Sequence, residues 1–201
     1  MGVRKLSNIG GWTSKTSYTS MLAGNAVFEP WAPSGAYDSI ATVNVGVGGT
    51  SSITFSSIPQ GYTHLQIRAF TGTATYWSNA GYVHFNGDST TSNYNEHVLY
   101  GSGASAGSYY TSPNQGLFYL GKSTSGFDAA VVDILDYTSI SKYKVSRSLF
   151  GYDVNGATGY IGLASGLWRN TAAVSSITIT AGGAGDFAQY SQFALYGIKG
   201  A

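Results

Sequence analysis

The sequence predicts an all-β fold, an antiparallel β-sandwich of jelly-roll-like form preceded by an extended N-terminal arm. Three observations point to it. Short runs rich in β-branched and aromatic residues recur from Tyr37 onward, the segments between them are dense in Gly and Asn, and no run joins helix caps to a helical apolar repeat. The clearest run is 62–70, where Leu65, Ile67 and Ala69 alternate with His64, Gln66 and Arg68. Such period-two alternation marks a strand with one face buried and one face wet.

In chain order, strands are expected at 40–45, 52–55, 62–70, 82–85, 97–100, 116–120, 129–136, 143–150, 159–163, 176–180 and 192–198. Ile53 and Phe55 repeat the alternation ahead of Tyr62, and Pro59-Gln60-Gly61 separates the two runs. Turns are expected at Gly46-Val47-Gly48-Gly49, Asn86-Gly87-Asp88, 101–107, Asn155-Gly156 and Gly182-Gly183, where Gly and Asn accept a positive φ.

One hairpin can be registered in detail. Placing Val131 opposite Leu149, Asp133 opposite Arg147, Leu135 opposite Val145 and Tyr137 opposite Tyr143 puts all eight on one face, and Asp136 then meets Lys144 on the other. A single register satisfies two opposite-charge pairs and two aliphatic pairs, with a loop over 138–142. Asp133 and Arg147 are expected as a partly desolvated structural ion pair, and Asp136 and Lys144 as a pair on the wetter face. The functional alternative for Asp133 is a carboxylate that anchors a ligand.

Composition bounds the function. In 201 residues only 9% are charged, against about 25% in ordinary globular proteins, while 28 Gly and 16 Tyr are present. Copies with so few charges repel one another weakly, which favours ordered assembly. A net charge of +1 makes no case for nucleic-acid binding, which calls for clustered Lys and Arg. Without cysteine there are no disulfides, thiolate metal sites or cysteine nucleophile. No stretch has the length of a membrane span, and Arg4 and Lys5 are not followed by an apolar region, so no secretory signal is expected.

Catalytic and metal constellations are sparse. His64, His84 and His97 fit no compact zinc spacing and are expected as ordinary strand or surface residues. Asn86-Gly87-Asp88 could open a calcium loop, but Thr90 and Ser92 follow where acidic ligands are needed, so a tight turn is expected. There is no G-x-S-x-G elbow, no phosphate cradle and no evident carboxylate pair. A non-enzymatic protein without cofactor or metal is the expectation. Tyr76, Trp77, Tyr94, Tyr109 and Tyr110 fall in Gly-, Ser-, Thr- and Asn-rich connections, where rings either stack on sugars or cover the ends of the sandwich. Tyr76, Trp77, Tyr109 and Tyr110 are the candidate glycan-binding set.

Residues 1–36 differ from the rest of the chain. They hold Arg4, Lys5 and Lys15 against Glu29 alone, and they lack sustained periodicity, yet they carry Trp12, Tyr18, Met21, Leu22, Phe28 and Trp31. These apolar groups suit an arm that docks on another subunit; a flexible leader is the other reading. The predicted division is thus an anchoring arm over 1–36 and a β-sandwich domain over 37–201.

The runs YTHLQIR (62–68), HFNGD (84–88), VVDILDY (131–137), RSLFGYD (147–153), GLWRN (166–170), AVSSITIT (173–180) and GDFAQYSQFALYGIKG (185–200), in this order, resemble a family of tailed-bacteriophage virion proteins. The resemblance spans about Tyr37 to Gly200, and YTSMLAGNAVFEP is similar to the leaders that precede the domain. It implies a structural component of the particle, either a head decoration or fibre or a tail-associated protein, with a jelly-roll-like domain and homotrimeric assembly. Expected partners are other virion proteins and further copies of the chain. The expected location is the phage particle, assembled in the host cytoplasm. A carbohydrate-binding receptor module of a tail or fibre is the alternative function.

Overall fold

The computed structural model describes residues 36–72, 81–112, 116, 126–153, 159–182 and 185–199. The strands are β1 (Tyr37–Asn44), β2 (Ser52–Phe55), β3 (His64–Gly72), β4 (Tyr82–Phe85), β5 (Tyr94–Gly101), β6 (Ala106–Thr111), β7 (Phe127–Leu135), β8 (Lys144–Asp153), β9 (Gly159–Trp168), β10 (Ile177–Thr180) and β11 (Gln192–Ile198). A single 3-10 turn, Thr91–Asn93, accompanies them among the described residues. All described strands fall within the unit Tyr37–Ala201. No described helix is long and apolar enough to cross a membrane.

Two antiparallel sheets form the sandwich. The larger has the order β1-β11-β3-β7-β8-β9-β5-β6, and the smaller has the order β2-β10-β4. From β1 to β4 the chain crosses between the sheets at every step, and on its return β10 enters between β2 and β4 while β11 enters between β1 and β3. That alternating wrap is jelly-roll-like. The pairs β8–β9 and β5–β6 extend the large sheet beyond β7.

The core lies between the sheets. Leu65, Ile67, Val132, Ile134, Phe193 and Leu195 point into it from the large sheet, and Ile53, Val83, Phe85, Ile177 and Ile179 from the small one. Phe85 meets the Trp168 ring edge-on at 5.4 Å, which ties β4 to β9. Asn86 (φ 53°) and Gly87 (φ 69°) both take left-handed conformations after β4, and the Asp88 amide donates to the Phe85 carbonyl at 2.9 Å. These are the features of the tight turn expected there. The Asp88 carboxylate accepts from the Thr90 amide (3.0 Å), the Asn93 side chain (2.8 Å) and the Trp168 indole (2.8 Å). Burial pushes this carboxyl upward, but the hydrogen bonds from Trp168 and Asn93 outweigh it and hold the acid below its ordinary range.

Several expectations change on contact with the fold. Residues 106–111 form β6, an edge strand, where a turn followed by loop aromatics was expected. The sequence AGSYYT is too small and polar to signal a strand, but pairing with β5 supplies a ladder and the burial alternates along it. Tyr94 opens β5 as a fully buried core residue rather than a loop ring, because its hydroxyl reaches the Asp88 carbonyl at 2.6 Å. The strand expected at 116–120 lies, beyond residue 116, outside the described residues.

The β7–β8 hairpin keeps the expected register from Val131↔Leu149 through Asp133↔Arg147 to Leu135↔Val145. Its faces are reversed. Val131, Leu149 and Leu135 are exposed, while Val132, Ile134, Ser146, Ser148 and Lys144 are buried. The expected Tyr137–Tyr143 pair is split, since Asp136 adopts φ 49° and turns Tyr137 into the core, where its hydroxyl donates to the Pro59 carbonyl. Tyr143 stays exposed. Asp136 pairs with Lys142 at 2.9 Å rather than with Lys144. Lys144 is fully buried and donates to the carbonyls of Ser139 (2.7 Å), Lys142 (2.9 Å) and Thr171 (3.1 Å). Desolvation pulls its pKa down, with Asp136 opposing.

Candidate functional site

The outer face of the large sheet is the surface that the core does not explain. Following the register across the strands, one row runs Arg68, Val131, Leu149, Leu163, Leu99 and Ser108. Its four aliphatics are 39%, 53%, 50% and 59% exposed in that order, although each lies in the middle of a strand flanked by neighbours. A second row, nearer one end, includes Phe70, Ala129, Gly151 and Ile161, with Phe70 stacked on Phe127 at 4.7 Å. Between these rows the sheet forms a shallow depression of about 590 Å³, bordered by Phe70, Val131, Leu149, Tyr152 and Ile161. Contiguous exposed apolar surface of this kind marks interaction sites on soluble proteins.

On the other side of the aliphatic row runs a polar one: Gln66, Asp133, Arg147, Ser165, His97 and Tyr110. Beyond it Leu135, Val145 and Leu167 restore apolar character. Asp133 and Arg147 therefore sit in the midst of aliphatic neighbours on a solvent-facing surface. Arg68 donates through Nε to Gln66 Oε1 (3.0 Å), and Gln66 Nε2 donates to Asp133 Oδ1 (2.8 Å). The Arg68 guanidinium also lies 5.9 Å from the Tyr37 ring centre and 5.3 Å from that of Tyr196. Asp133 and Arg147 are cross-strand neighbours, but the ion pairs within 4.0 Å among the described residues are His64–Asp136, Lys142–Asp136 and Lys199–Asp38. Arg147 thus presents its charge outward.

The other sequence-predicted residues separate. Trp12, Tyr18, Met21, Leu22, Phe28 and Trp31, proposed for docking, lie outside the described residues, as do Tyr76 and Trp77 of the glycan set. Tyr109 is half-buried on the inner side of β6, 6.2 Å from the Tyr100 ring. Tyr110 is 54% exposed on the outer side and lies against His97 at 4.4 Å. The three histidines are dispersed: His64 Nδ1 accepts from the Asp136 amide (3.0 Å), His84 meets the Tyr94 ring edge-on, and His97 lies under Tyr110. No group of three or more His, Asp or Glu side chains able to hold a metal occurs among the described residues.

The aliphatic row Val131, Leu149, Leu163 and Leu99 was not singled out from the sequence as a surface. A signal existed, since AAVVDIL and YIGLASGLW carry apolar residues on both strand faces, but alternation alone does not say which face is covered. Comparison with family models, with curated proteins and with solved structures finds no match to this chain.

Proposed function

We propose that this chain is a non-enzymatic structural subunit of a tailed-phage particle, a head decoration or fibre or a tail-associated component, in which the sandwich is an assembly module and residues 1–36 anchor it. The observation that carries the reading is the row of exposed aliphatics across the outer face of the large sheet. Burying a large apolar side chain is worth about 1.5–3 kcal/mol, so such a row is costly in water and useful in an interface. The 9% charge content acts in the same direction, because few charges must be desolvated when copies or neighbours pack. The sequence resemblance supplies the kind of particle.

The test is co-sedimentation with phage particles assembled without this chain. The intact protein is expected to pellet with them, and protein lacking residues 1–36 is expected to stay in the supernatant while still unfolding cooperatively. Failure of the intact protein to pellet would remove the virion role, and equal pelleting of the shortened chain would remove the anchoring role of the arm.

A second reading rests on Tyr110, whose exposed ring is braced by His97. An aromatic platform on a polar edge suits stacking on a sugar ring of a host glycan. Tyr110→Ala is expected to abolish glycan-array binding under this reading, and absence of binding by the intact protein would dispose of it.

A further inference from the structure

We propose that the outer face of the large sheet packs against the same face of a second copy of this chain, about a two-fold axis running between β7 and β8 and parallel to them. This rests on reading that face as an assembly surface and names its occupant. The arrangement of charges argues for self-recognition. A two-fold in this position places Asp133 of one copy over Arg147 of the other, and Arg147 over Asp133, so two ion pairs form across the interface from residues that take part in none of the ion pairs within 4.0 Å among the described residues. The same operation sets Val131 against Leu149, Leu135 against Val145, and Phe70 against Ile161. Ser165 meets Gln66. Leu163 falls on the stem of Arg68, whose guanidinium is already engaged by Gln66 and by the rings of Tyr37 and Tyr196. Rotation about an axis across the strands along the polar row would instead stack Asp133 on Asp133 and Arg147 on Arg147.

Area supports one partner of similar breadth. The apolar and polar rows extend over five adjacent strands, β3 to β5 in the sheet order, and from Ala129 to Leu135 along β7. At strand spacings of about 4.8 Å and rises of about 3.3 Å per residue, this is about 24 Å by about 20 Å, or about 500 Å². A stable interface buries about 800 Å² per partner, so the rows supply its centre and the neighbouring strands its rim. Three broad faces meeting at a three-fold axis diverge from it and cover only their inner strips, whereas face-to-face stacking at about 10 Å covers β3, β7, β8 and β9 with the same four strands of the partner and sets Leu99 of β5 over Ala194 of β11.

The experiment is analytical ultracentrifugation of the full chain, alone and in mixtures of charge variants. Wild type is expected as a dimer. Asp133→Lys puts two positive charges over each other at both contacts and Arg147→Glu puts two negative charges there, so each variant alone is expected to dimerise about 100-fold more weakly, while an equimolar mixture regains a one-to-one heterodimer. A three-fold ring cannot satisfy all its contacts from two such variants. Circular dichroism melts check that each variant folds. Leu163→Glu, on the same face but outside the hydrogen-bond chain through Gln66, is a second disruptor should Asp133→Lys unfold. A wild type that stays monomeric overturns the proposal, as do a trimer, the assembly that the sequence resemblance implies, and variants that associate as wild type does. Particle co-sedimentation run in parallel separates the two readings: a monomer that still pellets with particles sinks only the two-fold, and a dimer that does not pellet sinks only the virion role.

Discussion

Lys144 and Arg147 stand on the same strand, yet one is sealed in and the other faces solvent. On the inner side of β8, Lys144 closes the end of the sandwich by donating to carbonyls from the β7–β8 connection and from Thr171, on the segment that follows β9. On the outer side, Arg147 rises between Val145 and Leu149 and belongs to none of the ion pairs within 4.0 Å among the described residues. A buried cation is tolerable when backbone carbonyls replace its hydration shell, and an aliphatic side chain is tolerable on a surface when another surface is meant to cover it. Residue type alone therefore does not sort the two faces of this hairpin. What lies opposite each face does.

The contrast breaks most sharply at the two cations. Lys144→Ala removes the donor of three hydrogen bonds and leaves buried carbonyls unpaired, so a loss of about 4 kcal/mol in urea titration is expected. Arg147→Ala should fall within about 0.5 kcal/mol of wild type when measured below the concentration of self-association. Equal losses would show that the faces are not distinguished as described.

Aliphatic truncations sharpen the same comparison. Ile134 is fully buried and Leu149 is half exposed, on adjacent strands of one sheet. Ile134→Ala should cost about 3 kcal/mol through lost burial and the cavity left behind, and Leu149→Ala about 0.5 kcal/mol. If Leu149→Ala leaves the monomer's melt unchanged but weakens the dimer, its apolar surface serves assembly rather than folding.

The smallest expected effect concerns pH. Asp88, anchored by Trp168 and Asn93 between the sheets, has its folded pKa below the unfolded value, so its contribution is complete above the ordinary carboxylate range of about 4 and fades as pH falls through the folded value. Asp88→Asn should therefore be less stable than wild type at neutral pH, with the gap narrowing in acid. Urea midpoints at pH 7 and at about pH 3 would show it. A gap that stays constant would mean that the carboxylate's charge is not what the indole and amide hold.

Much of the architecture was legible because it is local. Alternation in HLQIRAF, ITF and ITIT marks β3, β2 and β10, and Asn86-Gly87 announces the turn after β4 since both residues adopt positive φ there. The β7–β8 register was legible because charge and aliphatic pairs agree on one pairing. The surface was less so. β6 has no apolar signature of its own and exists because β5 offers it an edge, and the outer aliphatic row joins residues up to 64 positions apart in the chain, Leu99 and Leu163.

From sequence alone came the fold class, most of the strands and the pairing of one hairpin, each encoded by residues close in the chain or by a period of two. Only the tertiary structure decided which side of that pairing is inside. The reason is physical: a strand apolar on both faces has no preferred inward side until the second sheet covers one of them. The small sheet β2-β10-β4 lies over the inner side, which buries Val132 and Ile134 and leaves Val131, Leu149, Leu163 and Leu99 facing out. Burial of Lys144 was likewise settled at long range, because one of its three carbonyl partners, Thr171, is brought to it only when β9 has paired with β8.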